Sequence, residues 1–291
     1  MTDFLQLFLA GLSTGSLYAI AALGFTLMWQ ASGTINFAQG DFVMLPAFTM
    51  LAFMSFGVPL LVSFAITCVV AVVVLGWGFK RGVADPLLRF GMMPVIVATI
   101  GLAIAMRAGI RAGVSAEAQS FPSLFPDRIY NLLGVTITLA DLGTLAIALA
   151  LVLGTQTFLT RTVTGRTMQA VAQNTESATV LGINASRMIF YTFAVNALLA
   201  TSAALLVTPS YLAKFDMGES LGMKAFFAAI IGGFTSSRGA LLGGLVVGVS
   251  ENLMAGYISA SYKDAVGLAI FMVVIIVKPE GLLGKKSERR V

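Results

Sequence analysis

Nine continuous apolar stretches divide the 291-residue chain: 4–30, 42–56, 58–79, 93–111, 140–160, 188–210, 223–234, 239–257 and 264–278. A helix of about 20 apolar residues crosses a hydrocarbon core of roughly 30 Å. No water satisfies backbone N–H and C=O groups inside lipid, so only helices and closed barrels cross it. These stretches are continuously apolar rather than alternating, which selects helices over barrel strands. Only 11% of the residues are charged, against about 25% in soluble domains, so lipid must be the solvent for much of the surface. The expected fold is all-α: a polytopic transmembrane helical bundle, one domain over 1–291, with about 8–9 membrane segments. Stretches 42–56 and 223–234 are short for a full crossing, so a re-entrant path stays open for both.

Lysine and arginine in the short connections set the orientation. Lys80, Arg81 and Arg89 fall in 80–92, Arg161, Arg166 and Arg187 in 161–187, and Lys278, Lys285, Lys286, Arg289 and Arg290 after Val277. These three regions, including the C-terminus, are expected to be cytoplasmic. Segments 112–139 and 211–222 balance their charges (Glu117, Asp127 and Arg128; Lys214, Asp216 and Glu219) and read as external loops. The net charge of +5 therefore reflects topology and gives no reason to expect nucleic-acid binding. The N-terminal apolar run has no basic region before it, unlike a cleaved signal peptide.

Several chemistries are excluded by residue type. The chain has no histidine, which removes the Ser–His–Asp triad and the commonest transition-metal ligand. Its single cysteine, Cys68, reads as a small apolar packing residue. The segment GLLGKKS has two residues between its glycines, where a phosphate-binding loop has four, and it follows a membrane span rather than a strand. ATP-driven work would therefore need a partner to hold the nucleotide. The expectation is of a chain that is not an enzyme and carries no cofactor or metal.

The polar residues at membrane depth carry more information. Residues 33–42, GTINFAQGDF, place Asn36, Gln39 and Asp41 between a long apolar run and a short one that contains Pro46. Short or glycine-interrupted segments in both halves of a transporter point to its substrate site. Non-helical backbone at that depth is tolerated where it lines a cavity or is buried in protein, so Asn36 and Gln39 could offer amide groups to a solute. A plain interfacial loop is the competing reading. Glu251, inside 239–257, has three readings: a contact with another helix, a place on the pathway, or a position nearer the membrane interface. Arg107 and Arg111 read as snorkelling residues near a helix end, and Lys224 and Arg238 as the two ends of 223–234. Glycine pairs at four-residue spacing (Gly11 and Gly15, Gly239 and Gly243, Gly244 and Gly248) imply close helix crossings, within one bundle or against a partner subunit.

The segment 161–187 is amphipathic. Met168, Val171, Ala172 and Thr175 lie at i, i+3, i+4 and i+7, the spacing of a helix laid on its own bundle or into a partner's groove. Gly182 would end a second short helix that begins near Thr175.

With these residues in view, the chain resembles the permease subunits of ABC importers for branched-chain amino acids, of the LivH type. The resemblance rests on GLSTGSLYAIAALGFTLMWQASGTINFAQGDFVML, VAQNTESATVLGIN, GMKAFFAAIIGGFTSSRGALLGGLVVGVSE and SYKDAVGLAIFMVVIIVKPEGLLG, which together cover nearly the whole length. It implies a multi-pass permease of the bacterial inner membrane that pairs with a second, related permease. Two cytoplasmic ATPase subunits, which hold ATP and magnesium, and an extracytoplasmic solute-binding protein complete the implied system. Residues Gln173 to Asn184 match the segment expected to meet the ATPase, with Glu176, Ala178 and Gly182 at its glutamate, alanine and glycine positions. Asn36, Phe37 and Gly40 match the family's NFAxG element, and with Gln39 and Glu251 they are the candidate pathway residues. Three departures stand out: Gln39 where histidine is common, Arg238 in place of a proline, and Thr164 and Thr167 in place of methionine and alanine. The implied solute is a branched-chain or related amino acid; urea or short amides, and a stand-alone secondary transporter, are the alternatives.

Overall fold

The structure, a computed structural model, describes residues 2–126, 128–132 and 135–284. Asp127 and the basic tail from Lys285 onward, named above for their charge, lie outside these residues. The helices are α1 (Thr2–Ser32), α2 (Asp41–Ser55), α3 (Leu60–Ala71), α4 (Asp85–Leu88), α5 (Met92–Gly113), α6 (Leu139–Arg161), α7 (Val163–Gln173), α8 (Thr175–Val180), α9 (Ala185–Tyr211), α10 (Met217–Gly232), α11 (Ser237–Tyr257) and α12 (Lys263–Val277). Seven segments are long and apolar enough to cross a membrane: Thr2–Ser32, Leu60–Leu88, Met92–Gly113, Leu139–Arg161, Ala185–Tyr211, Ser237–Tyr257 and Ala260–Val277. Asp41–Ser55 is a shorter apolar helix. The expected polytopic helical bundle is therefore present.

Three features depart from the sequence expectations. The helix expected at 223–234 begins at Met217, because Glu219 and the glycines before Met223 break the apolar run without breaking the helix. The segment 112–139, expected as an external loop with no element assigned to it, contains an antiparallel hairpin, β1 (Ile129–Leu132) with β2 (Val135–Thr138), in register Ile129 to Thr138 and Leu132 to Val135. Finally, the basic connection 80–92 continues the preceding helix. Val72–Gly78 and Lys80–Ala84 are wound as π-helix before α4, with hydrogen bonds running i to i+5.

The chain divides into two compact units, each built from segments distant in sequence. Unit 1 comprises Met1–Thr26, Phe125–Leu153 and Lys224–Val291. Its helices meet through glycine. A Cβ on Gly15 would lie 2.7 Å from the Gly244 carbonyl oxygen, and one on Gly11 would lie 2.6 Å from Val249 Cα, so α1 and α11 touch backbone to backbone. Gly243 meets Ala228, and Gly232 meets Gly239, in the same way, which joins α10 to α11. The glycine spacing thus serves packing inside this chain, where dispersion contacts between close backbones hold helices together without a hydrophobic drive.

Unit 2 comprises Leu27–Leu124 and Gly154–Met223. Helix α9 is its axis, contacted by α2, α3, the π-wound segment and α7. Gly76 lets that segment approach Ala194 of α9. Phe42, Phe79 and Phe193 form a buried aromatic run, with ring centroids 5.2 and 5.8 Å apart.

Candidate functional site

Residues 33–40 leave the helical path between α1 and α2, turning at Gly33 (φ +65°). The element is tied down by its own polar groups. Asn36 Oδ1 accepts from the Ala38 N–H at 3.0 Å, and the Phe37 N–H donates to Thr99 Oγ1 of α5 at 3.2 Å. Non-helical backbone thus sits buried in protein rather than on a wet surface: Asn36 and Gln39 are 2% and 1% exposed. Gly40 is required for a different reason than its torsion, which is right-handed helical. A Cβ there would overlap the Gly218 carbonyl and crowd Gly222, so α10's first turns lie directly on it.

Gln39 and Asn196 of α9 exchange both amide hydrogen bonds, at 2.8 and 2.9 Å. Gln39 is therefore committed to another side chain of the same unit. Asn36 is not so committed: its Nδ2 is buried and has no hydrogen-bond partner among the described residues. Since a buried amide without a partner is unfavourable by about 1–3 kcal/mol, this donor marks a place that a ligand could satisfy. Phe37, beside it, is partly exposed.

Asp41, the next polar residue, is 1% exposed and accepts from Arg107 Nε at 2.9 Å and Nη2 at 3.2 Å. Arg107 Nη1 also donates to Glu219 of α10. Arg107 is thus a cross-link between three helices rather than a snorkelling residue. Arg111 stacks over Phe215 at 5.3 Å.

Glu251 belongs to unit 1 and is also buried. Its carboxylate accepts from Lys224 Nζ at 3.0 Å and from Tyr18 Oη at 2.9 Å. Lys224 in turn pairs with Asp264 at 2.9 Å and lies over the Tyr18 ring. Four helices meet in this network, which gives Glu251 protein partners sufficient to hold a buried charge. Lys224 marks no helix end; it lies in the middle of α10.

The segment 161–187 holds α7, α8 and the start of α9, and each of these helices is capped at its start by a side chain. Thr162, Asn174 and Asn184 accept from the N–H groups of Gly165, Ser177 and Arg187, the preferred way to satisfy a first turn. Of the two readings of the stripe, packing on the chain's own bundle accounts for Met168 and Val171, which are buried in unit 2, where α7 packs on α9. The tip of α8 is exposed, as is Val163 (73%) at the start of α7. Val180 and Leu181 are 88% and 80% exposed, Glu176 and Asn184 are exposed, and Gly182 ends the helix at φ +82° as expected. Gln173 is exposed at the end of α7, and Ala178 is buried beneath the tip.

The family of branched-chain amino acid transport system permease components matches residues 7–275. The chain belongs to this family. It is a multi-pass membrane protein and the permease subunit of an ABC importer. The permease is 31% identical to the high-affinity branched-chain amino acid transport system permease protein BraD of Pseudomonas aeruginosa, over 99% of this chain and 98% of the relative. It is 30% identical to LivH of Escherichia coli K12 over the same shares. A probable LivH of Methanocaldococcus jannaschii shares 24% identity over 94% of this chain. No solved structure matches significantly.

The sequence alone does not reveal the partners of the candidate residues: Asn196, the Asp41–Arg107–Glu219 link, and Tyr18 and Asp264 around Lys224 and Glu251. A lone asparagine inside the apolar run 188–210 was the available signal for the first, since polar residues at membrane depth require partners. Arg238, at the family's proline position, is exposed on the first turn of α11. Its N–H is among the first-turn donors that an α-helix leaves without an intrahelical partner, and the turn is capped by Ser236 Oγ, which accepts from the Gly239 N–H.

Proposed function

We propose that the permease forms one half of a pathway for branched-chain amino acids across the inner membrane, driven by two cytoplasmic ATPase subunits that dock on 161–187. The exposed Val180–Leu181 tip carries this reading. Two large apolar side chains stand in water on a helix fixed by capped neighbours, as a socket-and-knob contact with a soluble partner requires. Motion of that tip would be transmitted through α7 to α9, the axis of unit 2, and so to residues bonded to α9. ATP and magnesium belong to the ATPases in this scheme, the second permease supplies the other half of the pathway, and a solute-binding protein delivers from outside. The lysine and arginine distribution supports a cytoplasmic C-terminus.

The orphan Nδ2 of Asn36 supports a place for residues 36–40 beside the solute, where it would donate to a carboxylate or carbonyl oxygen. Gln39 and Gly40 then act by holding that element, and Glu251 by joining helices. The test is uptake into proteoliposomes that contain the permease pair, the ATPases and the binding protein, with leucine, isoleucine, valine, urea and short amides. Uptake of the three amino acids that requires ATP supports the proposal. Concentrative uptake by the permease without ATPases, or uptake of urea alone, would overturn it.

A further inference from the structure

The π-wound segment opens a cleft of about 330 Å³ in unit 2, against the start of α9. Its floor holds Lys80, only 6% exposed. Winding with i to i+5 bonds brings residues five apart together, and Lys80 Nζ donates to Asp85 at 2.6 Å and to Ser186 Oγ at 3.0 Å. An ammonium has three donors, and two of these are engaged among the described residues, which leaves one for a ligand. Arg81 and Arg187 line the same cleft, are exposed, and are in no ion pair among the described residues. With Lys80 balanced by Asp85, the cleft carries two uncompensated positive charges.

The walls identify what kind of anion fits. Trp77 is half exposed, carries Arg81 over its ring at 5.9 Å, and lines the cleft together with Phe190. Above it on the same helix Val69 and Val73 are exposed, on a segment apolar enough to cross a membrane. Tryptophan at such a boundary sits at headgroup level. A soluble anion would use the cations but not the adjoining apolar stripe, whereas a phospholipid uses both. Basic clefts between membrane helices bind anionic headgroups in this manner. We infer that this cleft binds the phosphate headgroup of an anionic membrane phospholipid, with Arg81 and Arg187 clamping it, Lys80 at its base, and the acyl chains lying along Val69 and Val73.

The test is native mass spectrometry of the full-length permease, released from detergent with phosphatidylglycerol, phosphatidylcholine or inorganic phosphate added separately. The wild type is expected to retain one phosphatidylglycerol far better than phosphatidylcholine. Arg81→Ala/Arg187→Ala removes two surface charges and should weaken that retention on the order of thirtyfold. Arg161→Ala/Arg238→Ala loses the same charge elsewhere and should retain the lipid as wild type does. Equal retention by the cleft variant, or equal loss in the control variant, would overturn the proposal. So would inorganic phosphate that displaces the lipid at comparable concentration, which would mark a soluble-anion site.

Discussion

Gln39 and Asn196 lie 157 residues apart and meet as a closed amide pair, both 1% exposed. The pair fastens the non-helical element 33–40 to α9, the helix that also receives α7. Replacing either residue by alanine leaves the other amide buried and unpaired, a loss of about 1–3 kcal/mol. Replacing both with leucine should cost less than the sum of the two single changes. Thermal unfolding of the purified variants in detergent, arranged as a double-mutant cycle, measures the difference.

The ion pairs are expected to rank by burial. Arg107→Gln strands the buried Asp41 carboxylate, and removal of one partner from such a pair destabilises by about 3–5 kcal/mol. Glu219→Gln touches the same arginine, but Glu219 is 63% exposed, so its loss should fall below about 1 kcal/mol. The same contrast is expected between Lys224→Met, which strands Glu251, and Asp264→Asn, whose side chain is 75% exposed. Midpoint shifts in one detergent and salt condition compare the four.

Glycine substitutions should separate by contact. Gly15→Ala drives a methyl into the Gly244 carbonyl of α11, where no flexible side chain can yield, and overpacking of this kind costs about 1–3 kcal/mol. Gly101→Ala, in α5, meets nothing within 4 Å and should be neutral or stabilising by up to about 1 kcal/mol. The yield of folded monodisperse protein and its melting midpoint read both.

Asn36→Ser keeps a short acceptor for the Ala38 N–H and removes the unpartnered Nδ2. Stability should change little, because no protein bond to that nitrogen is lost. Uptake should fall on the order of tenfold or more, the worth of one hydrogen bond to a charged group. A transport assay and a melting curve on the same preparation distinguish this from simple unfolding.

The bundle was legible because lipid imposes a pattern that survives tertiary packing. The runs 93–111 and 140–160 appear as Met92–Gly113 and Leu139–Arg161 with little change. Where the pattern is local and polar, legibility fails. Nothing in VVVLGWGFKRGVA distinguishes π from α winding, and the hairpin at 129–138 is too short to show alternation. The site was half legible. Two glycines and three polar groups between apolar runs exposed the element 33–40, but its partners Asn196, Arg107 and Glu219 are joined to it only by the fold. Periodicity gave α7 an apolar face, yet it could not say which surface covers that face. It proved to be α9, while the exposed apolar pair sits one helix later.

Coupling through that pair is the central claim, and the measurement that tests it most directly is ATP-dependent leucine uptake by the reconstituted complex carrying Val180→Asp/Leu181→Asp. Both side chains are almost fully exposed, so the permease should melt as wild type does. Uptake and co-purification of the ATPase subunits should both be lost. A double variant that folds, retains its ATPases and transports at the wild-type rate would contradict the account.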